Sequence, residues 1–257
     1  MDDGSDDGSE KICDKYALKD DRIHVIHQKN KGLVEARKRG VFSKGAKNSR
    51  YITFVDSDDS LPRDALEKML EIAKQYNADL VCGKTIRKWK NIAIPQKSNR
   101  PCFEKNTVKE YVKQDIIDQL YIGCFGINDF PVNLWGKLYK TACIQNVIDV
   151  TSGVIFYGED LSVTLNVLPQ CKKVVTFPET VYYYRVGGAT SKYNPYMLQD
   201  FLTLYQYKQK KAAEKINNVE LAKHIRTGNY QLISERIWQT VRRNRFKDGM
   251  KKILLSI

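Results

Sequence analysis

The chain has 257 residues but no apolar run approaching the roughly 20 residues that a helix needs to cross a bilayer. None of its six cysteines, at 13, 82, 102, 124, 143 and 171, pairs as C-x-x-C, which argues against a structural zinc site. Their scatter through apolar stretches reads as buried free thiols and fits a reducing compartment. There are only three histidines, His24, His27 and His224, and none sits at ligand spacing, so they read as structural. Internal repeats and low-complexity linkers are absent. No secretory signal precedes the first acidic cluster, so the expected setting is cytoplasmic, with contact at most on the inner face of the membrane.

What is present is charge. The net charge is +13, and the 42% hydrophobic fraction is enough for a real core. From Asp200 to Ile257 there are 13 Lys or Arg against five Asp or Glu, whereas the first ten residues carry Asp2, Asp3, Asp6, Asp7 and Glu10. A basic surplus favours acidic partners. In the C-terminal stretch, Lys208, Lys211, Arg242, Arg243, Lys251 and Lys252 interleave with Phe201, Leu204, Trp238 and Leu254. That pattern fits peripheral contact with an anionic membrane, and equally a solvated helix face packed on the rest of the protein. Nucleic-acid binding is disfavoured, because no aromatic RNA motif or zinc finger occurs.

The first half alternates strand-like and helix-like segments. Arg22–His27 and Tyr51–Val55 read as short strands, Gly32–Lys44 and Pro62–Tyr76 as helices, and Asp79–Cys82 as a further strand. Such alternation implies βαβ units and a mostly parallel sheet. Arg87–Asn106 reads as an irregular loop, Thr107–Leu120 as a helix, and Asn133–Ile144 as a short amphipathic segment. Asp160–Leu168 reads as a helix stopped by Pro169. Lys173–Arg185 reads as a strand pair broken by Pro178, and the chain from Tyr196 onward as helical and basic.

The chemistry starts at FVDSDDSLP, residues 54–62. A buried strand ends and at once delivers Asp56, Asp58 and Asp59. In open α/β sheets, ligands bind beyond the carboxyl ends of strands. Three carboxylates so close repel one another unless a cation or donor compensates. A hard divalent ion, Mn²⁺ or Mg²⁺, suits oxygen ligands and takes substrate phosphates as further ligands. Helix capping is the simpler reading; Asp59 or Ser60 is expected to cap the next helix, but one such residue suffices for that. DDGSDDGSE at residues 2–10 lacks the register of an EF-hand calcium loop.

Taken in order, these segments resemble glycosyltransferase family 2, the inverting enzymes with a GT-A fold. The resemblance runs over roughly residues 2–191. It rests on Asp2-Asp3-Gly4-Ser5-Asp6-Asp7-Gly8-Ser9, Asn30-Lys31-Gly32-Leu33-Val34-Glu35-Ala36-Arg37, Asp56-Ser57-Asp58-Asp59 and Gly158-Glu159-Asp160. Trp135-Gly136-Lys137-Leu138-Tyr139 and Tyr183-Tyr184-Arg185 are also similar to family segments.

The resemblance implies a Rossmann-like sheet flanked by helices, with a GT-A catalytic domain over residues 1–192 and a basic helical region over 193–257. It further implies that Asp2 or Asp3 meets the base or ribose of a nucleotide-sugar donor, and that Gly32 and Arg37 lie on its diphosphate side. Asp58 becomes the principal metal ligand, Asp59 supports it, and Asp56 lies near the ribose or just behind the metal's direct ligands. Asp160 becomes the general base with Glu159 beside it, and Trp135 lines the acceptor pocket. The expected reaction moves a sugar, with inversion, from a nucleotide-diphosphate donor, expected to be a UDP-sugar, to a glycan or lipid-linked acceptor in cell-surface polysaccharide synthesis.

Plainer readings stand beside these roles. Gly158-Glu159-Asp160 also reads as an acidic helix start favoured by the dipole, Arg37 as a solvated helix face, and Trp135 as core packing. Only Met1 precedes the first motif, where family members carry an earlier strand and helix. The expectation is therefore an N-terminally truncated domain, with a non-catalytic binding or scaffold subunit, or an inactive fragment, as the alternative function.

Overall fold

The computed structural model describes residues 1–89, 92–94, 100–125, 130–149, 157–187, 196–215, 225–227, 230 and 233–234. In chain order the helices are α1 (Ser9–Ala17), α2 (Leu33–Val41), α3 (Lys44–Lys47), α4 (Ala65–Gln75), α5 (Thr141–Gln145), α6 (Glu159–Val167) and α7 (Met197–Lys215). The strands are β1 (Tyr51–Ile52), β2 (Leu80–Trp89), β3 (Ile92–Ile94), β4 (Lys109–Val112), β5 (Lys137–Lys140) and β6 (Lys173–Arg185). These elements divide into two compact units, one of Met1–Ile52 with Tyr139–Asp149, the other of Thr53–Leu138 with Val150–Ile257.

In the first unit, Tyr51 and Ile52 pair antiparallel with Lys140 and Tyr139. The expected strand at 22–27 reduces to one parallel bridge, Asp2 with His27. There the Asp2 N–H donates to the Ile26 carbonyl at 2.9 Å, and the Gln28 N–H donates to the Asp2 carbonyl at 3.0 Å. Two bonds align the backbone but do not propagate a ladder. Helix α2 forms where expected and buries Val41, whose carbonyl accepts the Gln145 amide at 3.1 Å. Lys38 pairs with Asp149 at 2.9 Å.

The second unit carries the larger sheet. Strand β2 runs parallel to β6, while β3 pairs antiparallel with β2 and β4 antiparallel with β6, so this sheet is mixed. Both central strands start as continuous apolar runs. Leu80, Val81 and Cys82 of β2 and Val174, Val175 and Phe177 of β6 are buried, the pattern of strands covered on both faces. Helix α4 buries Ala65, Met69 and Ala73 at four-residue spacing. It ends over Asn77 (φ +48°), with the Ala78 N–H returning to the Ala73 carbonyl at 3.0 Å, a left-handed C-terminal closure. Asp79 then fastens the start of β2 to that of β6. Its carboxylate accepts the Lys172 N–H at 2.7 Å, and its own N–H donates to the Lys173 carbonyl at 2.9 Å.

Three expectations change here. Strand β2 extends far beyond Cys82 to Trp89 and turns back through β3, so part of the expected loop at 87–106 is a hairpin. The expected helix at 107–120 opens instead as strand β4, pairing with β6 from Lys109↔Thr176 to Val112↔Lys173. An open sheet edge overrides a helical spacing whose apolar residues also suit a strand. Pro178 does not break β6 in two. The register steps from Gly83↔Phe177 to Lys84↔Thr180 and Thr85↔Tyr182, so a bulge absorbs the proline and the strand continues.

Helix α7 packs within the second unit, burying Asp200, Phe201, Leu204, Lys208 and Ala212 along one stripe. Lys208 is therefore core-facing, and burial holds its ammonium below the usual lysine range. The expected boundary at 192/193 and the basic cluster of Arg242 to Lys252 lie outside the described residues. Among the described residues no helix is long and apolar enough to cross a membrane. All six cysteines are free thiols.

Candidate functional site

The acidic turn of residues 56–59 is built by strand β6. The Asp59 N–H closes on the Asp56 carbonyl at 3.1 Å. The buried Tyr182 hydroxyl accepts the Asp56 N–H at 3.0 Å and donates to Asp59 Oδ2 at 2.8 Å. The other oxygen of Asp59 accepts the Arg185 N–H at 2.7 Å. Ser60 and Tyr183 exchange backbone bonds at 3.2 and 2.8 Å. Both ends of the turn are thus tied to one strand, with Asp56 half-buried and Asp58 exposed. Burial pushes the Asp59 carboxyl above its ordinary value, against the two hydrogen bonds that favour its anion. The Tyr182 phenol is likewise raised, chiefly by burial. Neither Asp59 nor Ser60 caps α4; Asp64 occupies the cap position, without a side-chain bond.

The second carboxylate pair opens α6. Gly158 precedes it at φ +101° and ψ 7°, a conformation that L side chains rarely adopt. Glu159 and Asp160 occupy the first helical turn, where the helix dipole favours anions. Asp160 Oδ2 accepts the Leu134 N–H at 3.3 Å, and Thr164, one turn on, donates to the Val132 carbonyl at 2.8 Å. The loop before β5 is therefore stitched to α6. From the other side, Asp200 of α7 accepts the Tyr157 N–H at 3.0 Å.

Between these two carboxylate groups lies an aromatic stack. Trp135 is nearly parallel to Tyr182, with ring centroids 4.6 Å apart, and to Tyr184 at 5.4 Å. Trp135 thus packs on β6, as its core reading anticipates, while staying half-buried. A continuous path of contacts runs from Asp160 through Leu134 and Trp135 to Tyr182 and the acidic turn.

Lys137 is a residue that sequence reasoning missed. It is fully buried, its ammonium donates to the Asn133 carbonyl, and it lies 5.3 Å from the Phe130 ring centroid. Burial lowers its pKa, and the nearby charge of Asp160 opposes that. A lysine alternating with Leu138 and Tyr139 in a strand gives no sign that it points inward.

The remaining predicted residues fall in the first unit. Asp3 Oδ1 accepts Gln28 Nε2 at 2.6 Å and the Lys31 N–H at 2.9 Å; its Oδ2 accepts the Gly32 N–H at 2.8 Å. Gly32 stands at φ +86° just before α2, on which Arg37 is half-buried. Asp2 is buried, accepts the Ser5 N–H at 3.0 Å and pairs with His27 Nδ1 at 2.7 Å. The other nitrogen of His27 meets Asp14 at 2.9 Å. These bonds lower the Asp2 carboxyl to about 2, led by His27, and raise His27, led by Asp2. So Asp2, Asp3 and Gly32 come together here, while Asp56, Asp58, Asp59, Trp135, Glu159 and Asp160 belong to the second unit. His27, expected to be merely structural, ties Asp2 to α1.

The α/β sheet flanked by helices, with one acidic turn tied to β6 and a carboxylate pair opening α6, is a GT-A-type fold. Solved structures share it. S. aureus TarS residues 1–349 superposes with a TM-score of 0.62 at 17% identity, over 90% of this chain and 61% of that one. The same region in complex with UDP-GlcNAc gives 0.59 at 19% identity, over 95% and 64%.

Residues 1–130 match the family model described as glycosyl transferase family 2, and the chain belongs to that family. The cholesterol galactosyltransferase of Borreliella burgdorferi is 30% identical over 74% of this chain and 52% of its own length. Glycosyltransferase GlyA of Streptococcus pneumoniae is 27% identical over 72% of this chain and 26% of its own. The chain thus spans about half, or less, of these curated relatives.

Proposed function

We propose that the chain transfers a sugar from a nucleotide-diphosphate donor, a UDP-sugar, to a hydroxyl of a glycan or lipid-linked acceptor, with inversion, in cell-surface polysaccharide synthesis. The observation that carries this reading is the contact path joining two carboxylate centres in one compact unit, Asp160 at the start of α6 and the acidic turn tied to β6. Family membership gives those positions their context, and the complex of a structural relative with UDP-GlcNAc makes a UDP-sugar the natural donor class.

The residues fit a shared Mn²⁺ or Mg²⁺. Among the described residues no group of three His, Cys, Asp or Glu side chains converges into a metal cage. An exposed Asp58 instead suits an ion that completes its shell with substrate phosphates, as such ions commonly do. When bound, the ion would supply charge neutralisation on the departing diphosphate. Asp160 takes the proton of the acceptor hydroxyl as that oxygen attacks the anomeric carbon. The new glycosidic C–O bond forms while the bond to the diphosphate oxygen breaks on the opposite face. Glu159 supports Asp160, Asp56 lies toward the ribose, and the half-buried Trp135 lies toward the acceptor.

The test is donor turnover by the full chain with UDP-sugars and Mn²⁺. Asp58→Ala and chelation should each abolish transfer, and Asp160→Asn should stop transfer while UDP binding survives. UDP binding with no turnover by the parent chain would favour the scaffold alternative. Unimpaired transfer by Asp160→Asn would remove the proposed base.

A further inference from the structure

We infer that Tyr182, acting with Asp59, is a positioning residue. It holds the acidic turn in one shape before any ligand arrives and so presents Asp58 at the tip. This rests on the reading of Asp58 as the donor-side ligand, and gives Asp59 a different task from the supporting ligand expected of it.

The hydrogen-bond inventory carries the argument. Each oxygen of Asp59 already has a donor inside the protein, Tyr182 on one and the Arg185 N–H on the other. One hydroxyl serves both ends of the turn, accepting from Asp56 and donating to Asp59. The turn is closed by its own backbone bond and followed at once by the mutual Ser60–Tyr183 pair. Tyr182 cannot swing away, because it is fully buried and stacked on Trp135. Trp135 in turn adjoins Leu134, whose N–H binds Asp160. A shape fixed in advance spares the ordering cost at the moment of binding.

The test compares the full chain with Tyr182→Phe, which keeps the ring and its stack while deleting the hydroxyl, and with Asp59→Asn, which keeps the acid's shape. Two readouts are taken: amide hydrogen exchange at Asp56, Asp59 and Arg185 without ligand, and calorimetric titration with UDP and Mn²⁺. Losing one buried hydroxyl with two partners should speed exchange and weaken UDP–Mn²⁺ binding by about tenfold each. Asp59→Asn leaves one acceptor oxygen for two donors and should weaken binding comparably, and the losses in the double variant should fall short of their sum, because both substitutions loosen one connected network. Additive losses would instead mark Asp59 as an independent metal ligand and overturn the inference. Unchanged exchange in Tyr182→Phe, or faster exchange with unchanged affinity, would overturn it as well. If Tyr182→Phe does not fold, the Asp59→Asn comparison decides alone: faster exchange with weaker binding supports the tie, and unchanged exchange overturns it. A parent chain that binds no UDP would defeat the functional reading, and with it the donor side of this inference. The exchange comparison would still decide whether Tyr182 fixes the turn.

Discussion

Gly158 offers the sharpest probe of how the candidate base is held. A Cβ built there lies 2.7 Å and 2.8 Å from the two Leu204 methyl carbons, and the backbone sits at φ +101°. Gly158→Ala therefore meets two separable costs. The left-handed backbone costs an alanine roughly 1–2 kcal/mol. Pushing aside a buried leucine, whose contacting atoms are the far end of its side chain, adds about 1 kcal/mol at the low end of overpacking penalties. The total of about 2–3 kcal/mol should lower the melting temperature by roughly 5–10 °C in a unit of this size.

The two parts separate on a Leu204→Ala background. There the clash is gone, so Gly158→Ala should cost only the backbone share, and the two melting-temperature shifts should differ by roughly 2–4 °C, the equivalent of about 1 kcal/mol of coupling. Because Asp160 is two residues away, transfer should fall by more than the loss of folded protein explains; a displacement near 1 Å can cost about 100-fold. Thermal denaturation followed by circular dichroism, with donor turnover measured well below the transition, checks both. Equal costs of Gly158→Ala in the two backgrounds would refute the packing argument, and a melting temperature unmoved by Gly158→Ala would refute the backbone argument too.

Two further outcomes follow from the same geometry. The His27 pairing should make stability depend on pH in a defined window. Its pKa is raised above 6.5, so its contribution is complete below that value and fades as pH climbs through the raised pKa; the Asp2 carboxyl, lowered from 3.8 to about 2, contributes above 3.8 and fades toward about pH 2. The difference in urea midpoint between the parent and His27→Gln should therefore be widest between those two ordinary values and shrink as pH climbs through the raised pKa, and a difference that does not shrink on the alkaline side would contradict the pairing. Gly83→Ala should destabilise the second unit by about 1–3 kcal/mol in urea, because the added carbon meets a stiff, β-branched Val181 at 2.6 Å and Phe177 at 3.0 Å inside the sheet. An unchanged midpoint would show that the bulge between β2 and β6 can open.

What the sequence disclosed follows from the range of the interactions involved. Helices α2, α4 and α6 were legible because helical spacing is a local signal, though of the four spaced residues that suggested α4, Leu66, Met69, Leu70 and Ala73, the helix buries Met69 and Ala73 and leaves Leu66 and Leu70 exposed. The start of β2 was legible as an apolar run, but its continuation to Trp89 was not. Lys84 to Trp89 (KTIRKW) lacks the alternation of polar and apolar residues that marks a strand, and it becomes strand only because β6 supplies partners as far as Arg185. Strand β4 was misread for the same reason: the spacing of Tyr111 and Val112 suits either structure, and only the free edge of β6 decides between them. Pro178 looked like a break because a proline lacks one ladder donor. A bulge needs no donor at that point, and bulges cannot be seen from one strand's sequence.

The candidate site divides along the same line. Glu159 and Asp160 could be named because they open a helix, and Asp56, Asp58 and Asp59 because three carboxylates crowd one turn, although the strand expected to end at Val55 is only Tyr51–Ile52. Their support could not. Tyr182 is 126 residues from Asp56 and 123 from Asp59, and a row of three tyrosines in a strand carries no mark of which hydroxyl turns inward. The alternation of a strand does narrow the choice. Tyr182 and Tyr184 share one face and stack on Trp135, whereas Lys88 lies 3.2 Å from the ring centroid of Tyr183. Of the two on the Trp135 face, only the fully buried one needs an internal partner for its hydroxyl, and the acidic turn supplies both a donor and an acceptor. A buried tyrosine and a half-buried aspartate each destabilise the fold unless paired. By pairing with each other they turn two separate costs into one rigid joint, placed where the proposed chemistry needs a fixed carboxylate beside it.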